Sequence, residues 1–107
     1  MGLAKESCTP CRTGEGKLTG DEVAALLGKL SGWSVDGEFI YKQWKFKNFV
    51  AALAFVTTVG EIAEAQFHHP DIVFGWGYAE IRLTTHKAQG VTRNDFILAA
   101  RIDAAVG

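Results

Sequence analysis

Residues 64–86, EAQFHHPDIVFGWGYAEIRLTTH, contain a helix end, a proline stop and a complete hairpin. Pro70 disfavours helical backbone at the residue before it, so a helix running into this stretch has to stop close to His68 and His69. Both histidines then sit at a helix exit. Asp71 to Phe74 reads as a short extended arm, Gly75-Trp76-Gly77 as the bend, and Tyr78 to His86 as the returning arm. Within it Ala79, Ile81 and Leu83 alternate with Tyr78, Glu80, Arg82, Thr84 and His86. The apolar set is expected to face helices and the other set, His86 included, to face outward or toward a cleft.

Working upstream, Asn48 is placed to cap the helix that ends at the histidines. Phe49, Leu53, Val56, Ala63 and Phe67 are expected to form its apolar face, with Gly60 as a close-packing point. An earlier hairpin joins Trp33–Val35 to Glu38–Phe46 through a two-residue Asp36-Gly37 turn. Ile40, Trp44 and Phe46 share one parity in its second arm, and Phe39 and Tyr41 the other. Thr19 followed by Glu22 has capping-box spacing, and Val23, Leu26, Leu27 and Leu30 continue at helical period to a stop at Gly32. Downstream, Thr92 and Asp95 repeat that spacing ahead of a last helix, with Phe96, Ala99, Ala100 and Ile102 inward. The order α-β-β-α-β-β-α predicts an α+β fold, one four-stranded antiparallel sheet with three helices packed on one face. Residues 1–18, broken by Pro10, Gly14 and Gly16, read as a flexible N-terminal tail, and 19–107 as one domain.

A chain of 107 residues with 48% hydrophobic residues supports one core. Eleven Lys and Arg against twelve Asp and Glu give a net charge of −1, which provides no clustered cations for nucleic acid. No uninterrupted apolar run reaches the roughly 18 residues of a membrane span. Met1 to Ser7 lacks the apolar stretch of a secretory signal, and Glu6 breaks a myristoylation pattern. The cytoplasm is the expected location. Cys8 and Cys11 form one C-x-x-C. A redox or metal role needs a βαβ context or a second ligand pair, neither of which follows, so reduced thiols in the tail are expected.

All three histidines of the chain lie between positions 68 and 86. Imidazole is the side chain best suited to move protons near neutral pH. The plainer alternative is a solvated His86 and an adjacent pair that caps helix carbonyls. Asp95, in the first turn of the last helix, can satisfy an orphan N–H, orient a histidine, or do both with its two oxygens. Glu64 stands one turn before His68, within reach of it. Glu80 and Arg82 are explained by pairing across strands. Trp76 and Tyr78 either wall a pocket or simply pack. Three His and one Asp also form a possible zinc or iron set, although adjacent histidines diverge along regular structure.

The spacing Glu64, His68-His69-Pro70, Trp76, His86, Asp95 resembles the signature of the pterin-4a-carbinolamine dehydratases, and the likeness extends from Leu18 onward. The resemblance implies a four-stranded sheet with three helices on one side. It implies dehydration of 4a-hydroxytetrahydropterin to quinonoid dihydropterin, in recycling of tetrahydrobiopterin, with an aromatic amino-acid hydroxylase in the same pathway. It implies no metal and no organic cofactor. Catalytic positions would be His68, His69, His86 and Asp95, with His69, Glu64, Trp76, Thr84 and Thr85 binding substrate. Ile72 stands where many members have an aromatic residue, and Phe67 where a polar one is frequent.

On this basis His68 and His86 are expected to transfer protons, His69 to orient the ring, and Asp95 to hold the imidazole of His86. Relatives of this family also serve as protein-binding or assembly modules, a non-enzymatic alternative. The apolar helix 49–67 and two free sheet edges invite pairing into a homodimer or homotetramer.

Overall fold

The computed structural model describes residues 2–8 and 16–106. Its main elements are α1 (Gly20–Leu27), β1 (Ser34–Asp36), β2 (Phe39–Lys45), α2 (Phe49–Gln66), β3 (Asp71–Gly75), β4 (Tyr78–Leu83) and α3 (Arg93–Val106). Single 3-10 turns stand at Leu3–Lys5 and His86–Ala88. The expected α+β order is present: four antiparallel strands in the order β1-β2-β4-β3, with the three helices on one face.

Local chemistry accounts for the boundaries. Thr19 and Glu22 close a full capping box, the Glu22 N–H on the Thr19 hydroxyl at 3.2 Å and the Thr19 N–H on the Glu22 carboxylate at 2.8 Å. α1 stops at Gly28, one turn before the expected Gly32. The Asn48 side chain accepts the Ala51 N–H at 2.9 Å and starts α2. In the first hairpin Asp36 pairs with Phe39, so the two-residue turn is Gly37-Glu38, one step later than expected. Gly37 has φ 60 and Glu38 does not have positive φ, a pattern that needs glycine only at the first turn position. In the second hairpin Gly75 pairs with Tyr78 and the turn is Trp76-Gly77.

Ile40, Trp44, Ile81, Leu83, Ala79, Ile72 and Phe74 form the sheet's inner face. Trp44 meets Trp33 edge-on at 5.8 Å and Phe55 of α2 at 4.6 Å, ring centre to ring centre. α2 turns Ala52, Phe55, Val59 and Ala63 inward. This corrects the expected face in part: Ala63 is buried and Val56 packs against the core as expected, but Phe49, Leu53 and Phe67 are exposed, and Val50 is exposed with them. α2 carries apolar residues on two overlapping stripes, and packing of Phe55 between Trp44 and Phe46 selects one. Among the described residues α2 is the one helix of length and composition compatible with a membrane span, at 18 residues. It carries Glu61 and Glu64 and packs on β3, β4 and α3.

α3 is buried almost all round, from Asn94 through Ala100 and at Ile102. Its outer side is covered by the chain start, which corrects the reading of residues 1–18 as a tail for Leu3–Cys8. Leu3 is buried in the main core. Arg93 donates to both Glu6 oxygens, at 2.8 and 2.6 Å, and Arg101 Nε donates to the Glu6 carbonyl. The Arg93 guanidinium holds the Glu6 carboxyl below the usual carboxylate range. Five consecutive apolar residues from Phe96 to Ala100 require cover on every side, and this segment supplies part of it. Cys11 lies outside the described residues.

Candidate active site

β3 and β4 run antiparallel with Asp71 opposite Arg82. The residues just before β3 and those just after β4 therefore share one end of the sheet. This register brings His68-His69 beside Thr84-Thr85-His86, and the first turn of α3 closes the same end.

The helix exit aims His68. The Phe67 N–H bonds the Glu64 carbonyl at 3.3 Å and the His68 N–H bonds the Ala63 carbonyl at 3.2 Å. This is the Schellman arrangement, with Phe67 in the left-handed position at φ 54 and ψ 35. It folds the chain back so that His68 Nε2 lies 2.6 Å from Asp95 Oδ1. Asp95 is fully buried. Its Oδ2 accepts the Thr92 N–H at 2.8 Å and the Thr85 hydroxyl at 2.9 Å. Thr85 gives its only hydroxyl proton to Asp95, so the Thr85–Thr92 contact at 2.8 Å is donated by Thr92. Asp95 thus caps α3 with one oxygen and holds an imidazole with the other. The expectation that it holds His86 is corrected: the partner is His68.

His86 opens a 3-10 turn, whereas β4 was expected to run through it. Thr85 and Gly90 pair across the base of this turn, N–H to carbonyl in both directions. His86 is exposed, and its imidazole makes no hydrogen bond to a described residue, although its carbonyl accepts the Gln89 N–H at 3.1 Å. His69 is also exposed, and its Nε2 lies 2.8 Å from Glu64 Oε1, so Glu64 serves His69 where His68 was the expected partner.

A cleft of about 500 Å³ opens here, lined by His68, His69 and His86 together with Thr84, Thr85 and Phe67. The Thr84 hydroxyl donates to the Glu38 carbonyl and that of Thr85 to Asp95, so neither has a proton left for a ligand. Trp76 is corrected as a wall of this cleft. It is exposed in the turn at the far end of β3, a five-residue strand or roughly 17 Å away. Tyr78 lies at that far end as well. Glu80 is buried on the sheet's other face, where Arg82 and Gln43 donate to it and hold its carboxyl below the usual range. Among the described residues no group of three or more His, Cys, Asp or Glu is arranged to hold a metal ion.

Sequence reasoning missed four lining residues: Cys8, Gln66, Lys87 and Asn94. Gln66, Lys87 and Asn94 each stand near a named site residue, a signal that neighbours could have been read from. Cys8 had none. Its N–H reaches the Gln66 side-chain carbonyl at 2.8 Å only because the chain start folds over α3.

The family model described as Pterin 4 alpha carbinolamine dehydratase matches residues 16–105. A Halorhodospira halophila protein that carries the name pterin-4-alpha-carbinolamine dehydratase is 46% identical over 106 residues, 97% of each chain. One of the same name from Rubrobacter xylanophilus is 49% identical over 102 residues, covering 94% of this chain and 95% of the relative. Among solved structures, a transcriptional coactivator/pterin dehydratase from Brucella melitensis superposes with TM-score 0.79 at 34% identity, over 85% of this chain and 99% of the other. A pterin dehydratase-like protein described as a RuBisCO assembly factor in the alpha-carboxysome gives TM-score 0.57 at 25% identity, over 70% of this chain and 87% of the other. With the match spanning nearly every described element, the chain belongs to the pterin 4 alpha carbinolamine dehydratase family.

Proposed function

We propose that this protein dehydrates a 4a-hydroxytetrahydropterin to the quinonoid dihydropterin by histidine acid–base catalysis. The observation that carries the reading is one cleft lined by all three imidazoles, one of them hydrogen-bonded to a buried carboxylate. The reaction breaks the C4a–O bond and the N5–H bond. The departing hydroxyl takes a proton and leaves as water, the N5 proton passes to a base, and the ring electrons close the new double bond.

The residues divide this work. With Asp95 accepting from Nε2–H, His68 keeps its proton on that nitrogen and offers Nδ1 for transfer. His68 is the base in this scheme, and the imidazolium formed as it takes the N5 proton faces the Asp95 carboxylate. His86, exposed on the other wall, protonates the leaving hydroxyl. His69, tied to Glu64, orients the ring. Proton transfer by such groups contributes about 10²–10⁴-fold each. No metal or organic cofactor is called for by these steps.

With this reading we propose a role in tetrahydropterin recycling beside an aromatic amino-acid hydroxylase, in the cytoplasm. The exposed apolar stripe of α2 (Val50, Leu53) and the outer edges of β1 and β3 suit a homodimer or homotetramer. The likeness to the RuBisCO assembly factor supports a second reading, an assembly or binding module without turnover. Stopped-flow turnover of freshly made 4a-hydroxytetrahydropterin separates the two. The dehydratase reading expects acceleration over the uncatalysed loss of water and a fall of about 10²–10⁴-fold in His68→Ala and in His86→Ala. No acceleration by the purified wild type would reject it.

A further inference from the structure

Two non-glycine residues have left-handed backbone among the described residues, Phe67 at φ 54 and Gln89 at φ 60. Phe67 is the more unusual. A helix exit of this type ordinarily has glycine or asparagine at the left-handed position just after the last helical residue, where a bulky side chain is disfavoured. Its ring gains nothing in return from the fold. It is 86% exposed, belongs to no core cluster, and makes no ring contact with a described residue. An exposed phenylalanine by itself signals nothing. A phenylalanine that is exposed, strained and set on the wall of the histidine cleft has a different standing, because local strain of this kind persists where the side chain has a use.

We propose that the Phe67 ring is a stacking face for the substrate heterocycle, making Phe67 a binding residue of this cleft. The proposal rests on the dehydratase reading and adds to it a contact to the ring face. A pterin is planar and bicyclic, with hydrogen-bonding groups around its edge and a π-face above and below. The imidazoles that line the cleft serve the edge. Phe67, one residue before His68, supplies a flat apolar surface beside them. Aromatic stacking on a heterocyclic base is worth a factor of about 10 in affinity, within the range found for nucleobases on aromatic side chains.

The test uses the full chain and two readouts: Kd for biopterin, an oxidised pterin that cannot be dehydrated, by fluorescence quenching, and kcat and KM with 4a-hydroxytetrahydropterin. Phe67→Asn removes the ring and relieves the backbone. Its Tm is expected to rise by about 4 °C, while Kd and KM rise about tenfold and kcat stays within about twofold. Phe67→Leu keeps the strain and loses the π-face, so it should weaken binding similarly without the gain in Tm. Phe67→Tyr should bind as wild type does. Unchanged Kd and KM in Phe67→Asn would overturn the proposal. A loss confined to kcat would overturn it too, as would a change in sedimentation with binding intact, which would assign the ring to contacts between copies. Wild-type protein that binds biopterin through Phe67 but does not turn over would reject the dehydratase reading and leave the stacking contact standing.

Discussion

Replacing Asp95 by asparagine preserves side-chain shape and exchanges one oxygen for an NH2 group. Two donors converge on Oδ2, the Thr92 N–H at 2.8 Å and the Thr85 hydroxyl at 2.9 Å, and one on Oδ1, His68 at 2.6 Å. The amide oxygen is expected to stay with the two donors, because turning the NH2 toward them would set it against the Thr92 N–H, which cannot accept, and would force the Thr85 hydroxyl to give up its donor role. The NH2 then faces His68 Nε2, which has to accept. The imidazole proton moves to Nδ1, the nitrogen that acts as base in the proposed mechanism. The expected loss in kcat is about 10²–10⁴-fold, and the same exchange beside another catalytic histidine costs about 10⁴-fold. Folding should suffer far less, about 1–3 kcal/mol, since two hydrogen bonds survive with a neutral acceptor in place of a carboxylate. Stopped-flow turnover and urea denaturation of Asp95→Asn, His68→Ala and the double variant measure both terms. If Asp95 acts through His68, adding Asp95→Asn to His68→Ala lowers kcat by no more than about threefold. A folded Asp95→Asn variant with near-normal kcat, or a double variant that loses the full product of the two single effects, would refute the reasoning.

The Arg93 hydrogen bond, helped by the charges of Arg93 and Lys29 against a desolvation push upward, depresses the Glu6 carboxyl, so the tie stabilises the chain start above the ordinary carboxylate value and is lost as pH falls through the depressed one. Hydrogen exchange of residues 3–8, corrected for its intrinsic rate, should quicken below about pH 4 in the wild type and already be faster at about pH 6 in Glu6→Gln; matching profiles would show that the pair does not hold the segment. Phe96 is fully buried in α3, and Phe96→Ala should cost about 3–5 kcal/mol in urea denaturation; a loss below about 1 kcal/mol would mean that the core around α3 is not as described.

Local signals were readable where one residue type decides the outcome. The Thr19–Glu22 box, the Asn48 cap and the alternation in β4 depend on side chains and backbone a few residues apart. The first hairpin turn moved by one residue because Gly37 serves a turn that needs positive φ only at its first position, so Asp36 stays in the ladder. The inner face of α2 could not be read from period alone, since Phe49 and Leu53 compete with Ala52, Phe55 and Val59, and the aromatic rings of β2 decide between them. Within the site, the meeting of the three histidines follows from hairpin register and was foreseeable. The pairing of Asp95 with His68 was not. It depends on the left-handed turn at Phe67, a position at which sequence statistics favour other residues. Trp76 has the right spacing along the chain, but the length of β3 carries it to the opposite end of the sheet. Leu3–Cys8 has no period to read. The clue to its place lay instead in α3, whose unbroken apolar run leaves no side for water.

Asp95 begins a helix and holds the His68 imidazole with the same three-atom group. A descendant that abandons the chemistry therefore meets a folding problem at once, since the side chain it discards also satisfies the Thr92 amide and the Thr85 hydroxyl. The histidines carry no such burden: His86 and His69 can drift at little cost to the fold. Divergence toward a non-catalytic role is thus expected to erode the imidazoles first and to leave the acid in place, a relic that still does half its work.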